Sequence, residues 1–151
     1  MKIAIASDHR GESYKKIIIE YLINNDYSVI DCSEKNTQTD DYPDFAFKLC
    51  NEVINKNADF GILVCRTGIG MSIAANKVKG IRCAKVDSVE DAILCKNDNG
   101  ANVITFNYTK DNEEIKAIIN AYINAEALID ERHIRRIQKI MDYENGAYNE
   151  L

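Results

Sequence analysis

The sequence predicts an α/β protein built on a five-stranded, mostly parallel sheet with helices on both faces. Three observations carry that expectation. Short runs rich in Ile, Val and Ala alternate along the chain with longer amphipathic segments. The run 59–65, DFGILVC, is almost wholly apolar, as a central strand covered on both faces must be. Nearly every strand-like run is followed by a helical one, the connection that parallel neighbours require.

Taken in order, KIAIAS (2–7) reads as the first strand and SYKKIIIEYLINN (13–25) as the helix behind it. YSVIDC (27–32) is a second strand, and the polar stretch 33–44 is a loop leading into a helix over 45–56. After the central run at 59–65, MSIAANKV (71–78) has the length of a short helix. IRCAKV (81–86) and ANVITF (101–106) are two further strands, separated by a helix over 88–97. Helices over 113–125 and 134–144 complete the chain.

With 151 residues, a single proline and no linker-like tract, the chain reads as one domain spanning 1–151. A net charge of −5 gives no electrostatic reason to expect a nucleic-acid partner. No apolar run approaches the roughly 18 residues that span a bilayer, and the N-terminal run is too short for a signal peptide. A cytoplasmic protein without membrane attachment is expected. The cysteines (Cys32, Cys50, Cys65, Cys83, Cys95) show no Cys-x-x-Cys pairing, so no metal site is expected, and four of them read as buried, reduced core residues.

Cys65 is different. Ligands of open parallel sheets bind beyond the carboxyl ends of the strands. Ser7-Asp8-His9, Cys65-Arg66-Thr67 and Asn107-Tyr108-Thr109 all follow strands directly. The loop Thr67-Gly68-Ile69-Gly70-Met71-Ser72 is neither a dinucleotide fingerprint nor a Walker loop, since Ile73 stands at the third glycine position and no Gly-Lys-Ser/Thr ending follows. A glycine turn at a helix start can gather backbone N–H groups around an anion or a developing oxyanion. The same turn, with Arg66 beside it, favours a thiolate at Cys65. From these residues alone, a reactive thiol and a tight turn over an inert one stand equally.

The wider pattern resolves the choice. SDHRG (7–11), TDDYPDFA (39–46), CRTGIGMSIAANKVKGIRCA (65–84), KNDNGANVITF (96–106) and ERHIRRI (131–137) resemble, in order and spacing, the ribose-5-phosphate isomerase B / galactose-6-phosphate isomerase family. The resemblance runs to about residue 140. It implies a Rossmann-like three-layer sandwich, no cofactor, and a homodimer or homotetramer whose active sites are shared between subunits. It also implies interconversion of an aldose and a ketose phosphate through an enediolate.

By the same resemblance Cys65 is the base. Thr67 and the backbone of Gly68, Ile69 and Gly70 stabilise the anion. Asp8 and His9 hold the hydroxyl and phosphate ends of the substrate, Tyr42 walls the pocket and Asn99 binds substrate. Arg132 and Arg136, four apart on one helix face, clamp the phosphate.

Three positions depart from the pattern. Asp98 stands where ribose 5-phosphate isomerases usually carry the histidine that opens the furanose ring. An ordinary aspartate, with a pKa of about 3.9, is a base rather than an acid at neutral pH. Arg66 replaces a glycine, a larger cation that can narrow the pocket, lower the thiol pKa or bind an acidic substrate group. The segment Phe106-Asn107-Tyr108-Thr109 lacks an arginine, which neighbouring Lys110 is placed to replace. The first reading is therefore an aldose–ketose isomerase of ribose 5-phosphate and ribulose 5-phosphate. The alternatives are an isomerase of a hexose 6-phosphate, such as galactose or allose 6-phosphate, and a catalytically silent sugar-phosphate-binding subunit.

Overall fold

A computed structural model describes residues 1–127 and 130–149. The strands are β1 (Lys2–Ser7), β2 (Ser28–Asp31), β3 (Phe60–Cys65), β4 (Cys83–Lys85) and β5 (Val103–Asn107), in the order β2-β1-β3-β5-β4. Every neighbouring pair is parallel, so the sheet is more regular than the mostly parallel one expected. The order reverses between β1 and β3, the switch point at which such sheets open a crevice.

Alternating side chains divide the sheet into two packed faces. Ile3, Ile5, Phe60, Ile62, Val64, Ile104 and Phe106 lie with Ile18 and Leu22 of α1 (Glu12–Asn24) and Ile115, Ile118 and Ile119 of α5 (Asn112–Asn124). Ala92 and Cys95 of α4 (Val89–Asn97) belong to the same cluster. Ala4, Ala6, Leu63 and Cys65 face the other way, onto Ala46 and Leu49 of α2 (Tyr42–Ile54) and Met71 of α3 (Ile69–Ala75). Each fully covered Ile or Leu contributes roughly 1.5–3 kcal/mol. The pleat also aims Cys65 at the α3 face, under the glycine turn.

Some boundaries differ from the sequence reading, each for a local reason. α2 begins at Tyr42 rather than 45, because Pro43 sits in the first turn, where its fixed φ is already helical and its missing N–H costs nothing. α6 (Glu131–Glu144) begins at Glu131 rather than 134, with the Asp130 carboxylate accepting the Arg132 N–H at 2.7 Å.

β4 covers only residues 83–85 of the expected 81–86, and before it the Asn102 side chain takes the place of a strand partner. Asn102 Oδ1 accepts the Arg82 N–H at 2.8 Å, and its Nδ2 donates to Gly80 O at 2.9 Å. On the outer edge, Asn76 Oδ1 accepts the Cys83 N–H and Nδ2 donates to Cys83 O, both at 2.8 Å. Asn76 thus occupies backbone groups that an open edge strand would offer to another chain.

Burial pushes the Cys32 and Cys95 thiols up to about 11 and the Cys50 and Cys83 thiols up to about 12. An unfolded thiol ionises near pH ~8.5. Above that pH the unfolded chain binds fewer protons than the folded one, so stability falls as pH rises. The melting temperature followed by circular dichroism is expected to drop steadily from pH 9 to 11, and less steeply in Cys50→Ala than in wild type. A flat profile would contradict the thiol burial described here.

Candidate active site

Parallel register brings three strand ends to one edge. Ser7 aligns with Val64, and Cys65 with Asn107. The Asp8 N–H reaches Val64 O at 3.4 Å, and the Tyr108 N–H reaches Cys65 O at 3.3 Å. The turns carrying Asp8-His9, Cys65-Arg66-Thr67 and Asn107-Tyr108 therefore emerge side by side, as the sequence pattern required.

After β3 the chain turns through Gly68 at φ +74°, a left-handed conformation that costs a residue with a Cβ roughly 1–2 kcal/mol. The turn folds back on the sulfur: the Gly68 N–H donates to Cys65 Sγ at 3.1 Å. Cys65 is 7 % exposed, and the Gly68 N–H is aimed directly at its sulfur. Thr67 Oγ1 accepts the Ile69 N–H at 3.2 Å, fixing the hydroxyl at the opening of α3. Of the three amides expected to form the anion loop, those of Gly68 and Ile69 thus already serve Cys65 and Thr67. Arg66, Thr67 and Ile69 are exposed, and Gly70 is half-buried.

Tyr42 reaches this loop from α2. A Cβ at Gly70 would lie 2.8–3.0 Å from Tyr42 ring and hydroxyl atoms, so the glycine is what lets the tyrosine close over the turn. Asp8 caps the 3-10 turn His9–Gly11, its Oδ1 accepting the Gly11 N–H at 2.8 Å. The turn packs tightly because a Cβ at Gly11 would come within 3.0 Å of Ser7 Cβ and 3.3 Å of Val64 O. His9 Nδ1 is buried without a hydrogen-bond partner, a state that costs free energy until a ligand or water satisfies it.

The remaining expected site residues are elsewhere. Asp98 ends α4, and Asn99 O accepts Arg82 Nε–H at 3.2 Å, at the amino edge of the sheet where β4 and β5 begin. Four strand steps separate Val103 from the Cys65 level, a displacement of about 13 Å. Arg132 and Arg136 are exposed on α6, whose first turn is seated against Asp98: His133 Nδ1 lies 3.1 Å from Asp98 O. A carbonyl only accepts, so Nδ1 carries the proton, and Nε2 faces Arg132 Nη2 at 3.1 Å and Asp98 Oδ1 at 3.8 Å. One chain therefore places Asp8, His9, Tyr42, Cys65, Arg66, Thr67, Gly68, Ile69 and Gly70 together, and Asp98, Asn99, Arg132 and Arg136 in a second group. Lys110 does not supply a spare charge, since its ammonium pairs with Glu114 at 2.7 Å.

Two features escaped the sequence reading. His133 was read only as part of a motif. Lys15 is 2 % exposed, and its signal was its place on the apolar stripe with Ile18 and Leu22. Among the described residues no cluster of three His, Cys, Asp or Glu side chains forms a metal-binding group, and no helix is long and apolar enough to cross a membrane.

Comparison with known proteins agrees with this fold. A family described as Ribose/Galactose Isomerase matches residues 3–140. A probable ribose-5-phosphate isomerase B of Mycoplasma genitalium is 43% identical over 146 residues, covering 94% of this chain and 95% of the relative. The ribose-5-phosphate isomerase B of Escherichia coli is 35% identical over 140 residues, 92% and 93% of the two chains. The structure of Clostridium thermocellum ribose-5-phosphate isomerase B superposes with a TM-score of 0.92 at 36% identity, over 97% of this chain and 99% of that one. The Mycoplasma genitalium enzyme with bound ribulose-5-phosphate gives 0.87 at 40% identity, over 95% and 96%. The relatives and the shared fold define a sugar-phosphate isomerase of the aldose–ketose class. The chain belongs to the ribose/galactose isomerase family.

Among the described thiols, Cys65 is set apart by the Gly68 N–H directed at its sulfur, whereas the other four are pushed up by burial. Iodoacetamide at pH 7.5 is expected to modify Cys65 first, read by peptide mass spectrometry, with the half-buried Cys83 slower and the buried Cys32, Cys50 and Cys95 reacting only on unfolding. Faster labelling of any of those four would contradict the assignment of Cys65 as the reactive thiol.

Proposed function

We propose that the protein interconverts ribose 5-phosphate and ribulose 5-phosphate in the cytoplasm, with Cys65 as the base. The observation that carries this reading is the Gly68 N–H held on Cys65 Sγ at 3.1 Å, at a strand end where the chain also presents Thr67, Asp8 and His9. Cys65 takes the proton from C2 of the open-chain aldose. The C–H electrons form the enediolate double bond while the carbonyl electrons move onto oxygen. The Thr67 hydroxyl and the Gly70 amide stand at the mouth of the loop to meet that oxygen. Return of the proton to C1, with the O2 hydroxyl proton passing to O1, gives the ketose, and no redox partner is required. Asp8 orients a substrate hydroxyl, and His9, with its unpartnered Nδ1, meets the phosphate end.

The second group of residues calls for a second copy of the chain. Asp98, Asn99, Arg132 and Arg136 are too far from their own Cys65 to share its substrate. Ile134, Ile140 and Met141 on α6, Ile69 and Ile73 on α3, and Val89, Ile93 and Leu94 on α4 are apolar side chains left exposed. We assign them to a homodimer that brings the arginines and Asn99 of one copy to the thiol of the other. A homotetramer is a pair of such dimers.

A second reading keeps the chemistry and changes the sugar to a hexose 6-phosphate; it is favoured by the exposed Arg66 beside Cys65 and by Asp98 in place of a ring-opening histidine. A silent binding subunit has no use for a sulfur fitted with its own N–H donor. The test is proton NMR in deuterium oxide with ribulose 5-phosphate. Wild type is expected to exchange a C1 hydrogen and isomerise the sugar, and Cys65→Ala to be slower by roughly 10²–10⁴-fold. Ribulose 5-phosphate cannot close a furanose ring, so it should react well even where ribose 5-phosphate is slow, and Asp98→His should narrow that gap. Exchange undiminished in Cys65→Ala would sink the cysteine mechanism. Inactivity on this pentose with turnover of a hexose 6-phosphate would select the second reading.

A further inference from the structure

Lys15 is the only charged side chain among the described residues whose burial is nearly complete. Its ammonium donates to Asp31 Oδ1 at 3.0 Å, Ser33 O at 2.5 Å, Ser33 Oγ at 3.0 Å and Asn36 Oδ1 at 3.5 Å. All of these acceptors lie at the end of β2 or in the segment that follows it, whereas Lys15 belongs to the helix that follows the Asp8 turn. Taking an ammonium out of water costs several kcal/mol, so a single apolar residue would hold α1 on the sheet more cheaply. The purpose of the cluster is legible in what its members do next.

Ser33 Oγ, besides accepting from Lys15, accepts the Ser7 N–H at 3.0 Å. Asn36 uses its whole amide: Oδ1 faces Lys15, while Nδ2 donates to Ser7 O and to Asp40 Oδ2, each at 3.0 Å. The Ser7 carbonyl belongs to the peptide that carries Asp8, and the N–H of that same peptide is held by Val64 O. The plane from which Asp8 and His9 project is thus gripped on both sides, by Asn36 and by β3. Asp40, fixed through Oδ1 by the Thr37 N–H and hydroxyl at 2.7 Å, ends the segment two residues before Tyr42. Desolvation is the largest single influence on its carboxyl and acts to raise it, but the hydrogen bonds from Thr37 and Asn36 together outweigh it and hold the carboxyl below the usual range, with His9 acting in the same direction.

We propose that Lys15, acting through Ser33 and Asn36, is a positioning residue for the substrate-binding half of the site. One buried cation ties the segment 33–40 to the end of β1, and so sets Asp8 and His9 relative to Tyr42. Cys65, on β3, is anchored independently by the sheet. The inference rests on the sugar-phosphate reading above and adds a residue that never touches the sugar.

That division predicts a kinetic signature. Lys15→Met leaves the half-buried Asp31 carboxylate beside an apolar chain without its cation and is expected to lower the melting temperature. Adding Asp31→Asn removes the stranded charge and should restore most of that stability, yet leave the segment untied. The double variant is therefore expected to keep kcat/KM for ribulose 5-phosphate about tenfold or more below wild type, with the loss mainly in KM. Asn36→Ala, which leaves the Lys15–Asp31 pair intact, should show the same KM defect at near wild-type melting temperature. If the double variant regains stability and kcat/KM together, or Asn36→Ala binds substrate as wild type does, Lys15 is merely structural and the proposal fails. Amide hydrogen exchange of residues 33–41 gives a readout that needs no activity. Faster exchange in the double variant supports the tether even if wild type proves inactive on this pentose, and unchanged exchange overturns it.

Discussion

Parallel register is the constraint on which the rest of the structure depends. Because all five strands run the same way, whatever follows them in sequence is delivered to one edge, and whatever precedes them to the other. Cys65 stands level with Asn107, and Ser7 with Val64, so the first, third and fifth strands open into a common crevice. The two-residue pleat adds a direction. Ile62 and Val64 turn toward α1 and α5, while Leu63 and Cys65 turn toward α2 and α3. The thiol is thereby placed under the one turn that can donate an N–H to it.

The same constraint divides the functional residues. α4 returns from the carboxyl edge and ends at Asp98, so Asp98 and Asn99 are at the opposite edge before β5 begins. α6 joins them there through His133. In this chain they lie at the opposite edge of the sheet from Cys65. Exposed apolar residues on α3, α4 and α6 are consistent with a site completed by a second copy.

Much of this was legible in the sequence. The near-continuous apolar run ending in Cys65, the glycines after it and the alternation of strands with helices rest on local chemistry and appear in the structure as expected. The boundaries that moved were set by features smaller than a period, Pro43 starting a helix early and Asn102 standing in for a strand partner, while Asn76 covers the outer edge of β4 in the same way. Those asparagines lie in segments that carry the family resemblance, and periodicity says nothing of side chains that mimic backbone. Lys15 looked like one more lysine on a surface helix. Its stripe neighbours hinted at burial, but its acceptors are 16 to 21 residues away and meet it only in three dimensions. The separation of Asp98 and Asn99 from Cys65 follows from topology, which a list of matched motifs does not contain.

The claim most exposed to test is that each site draws Cys65 from one copy and Arg132 and Arg136 from another. Cys65→Ala and the Arg132→Ala/Arg136→Ala double variant should each be nearly inactive alone. Refolded together in equal amounts, half the dimers are mixed, and each mixed dimer has one site with every group intact. Activity on ribulose 5-phosphate should then return to about a quarter of the wild-type value. A mixture no more active than the mean of its parents would contradict the shared site and require the substrate to be held by one chain alone.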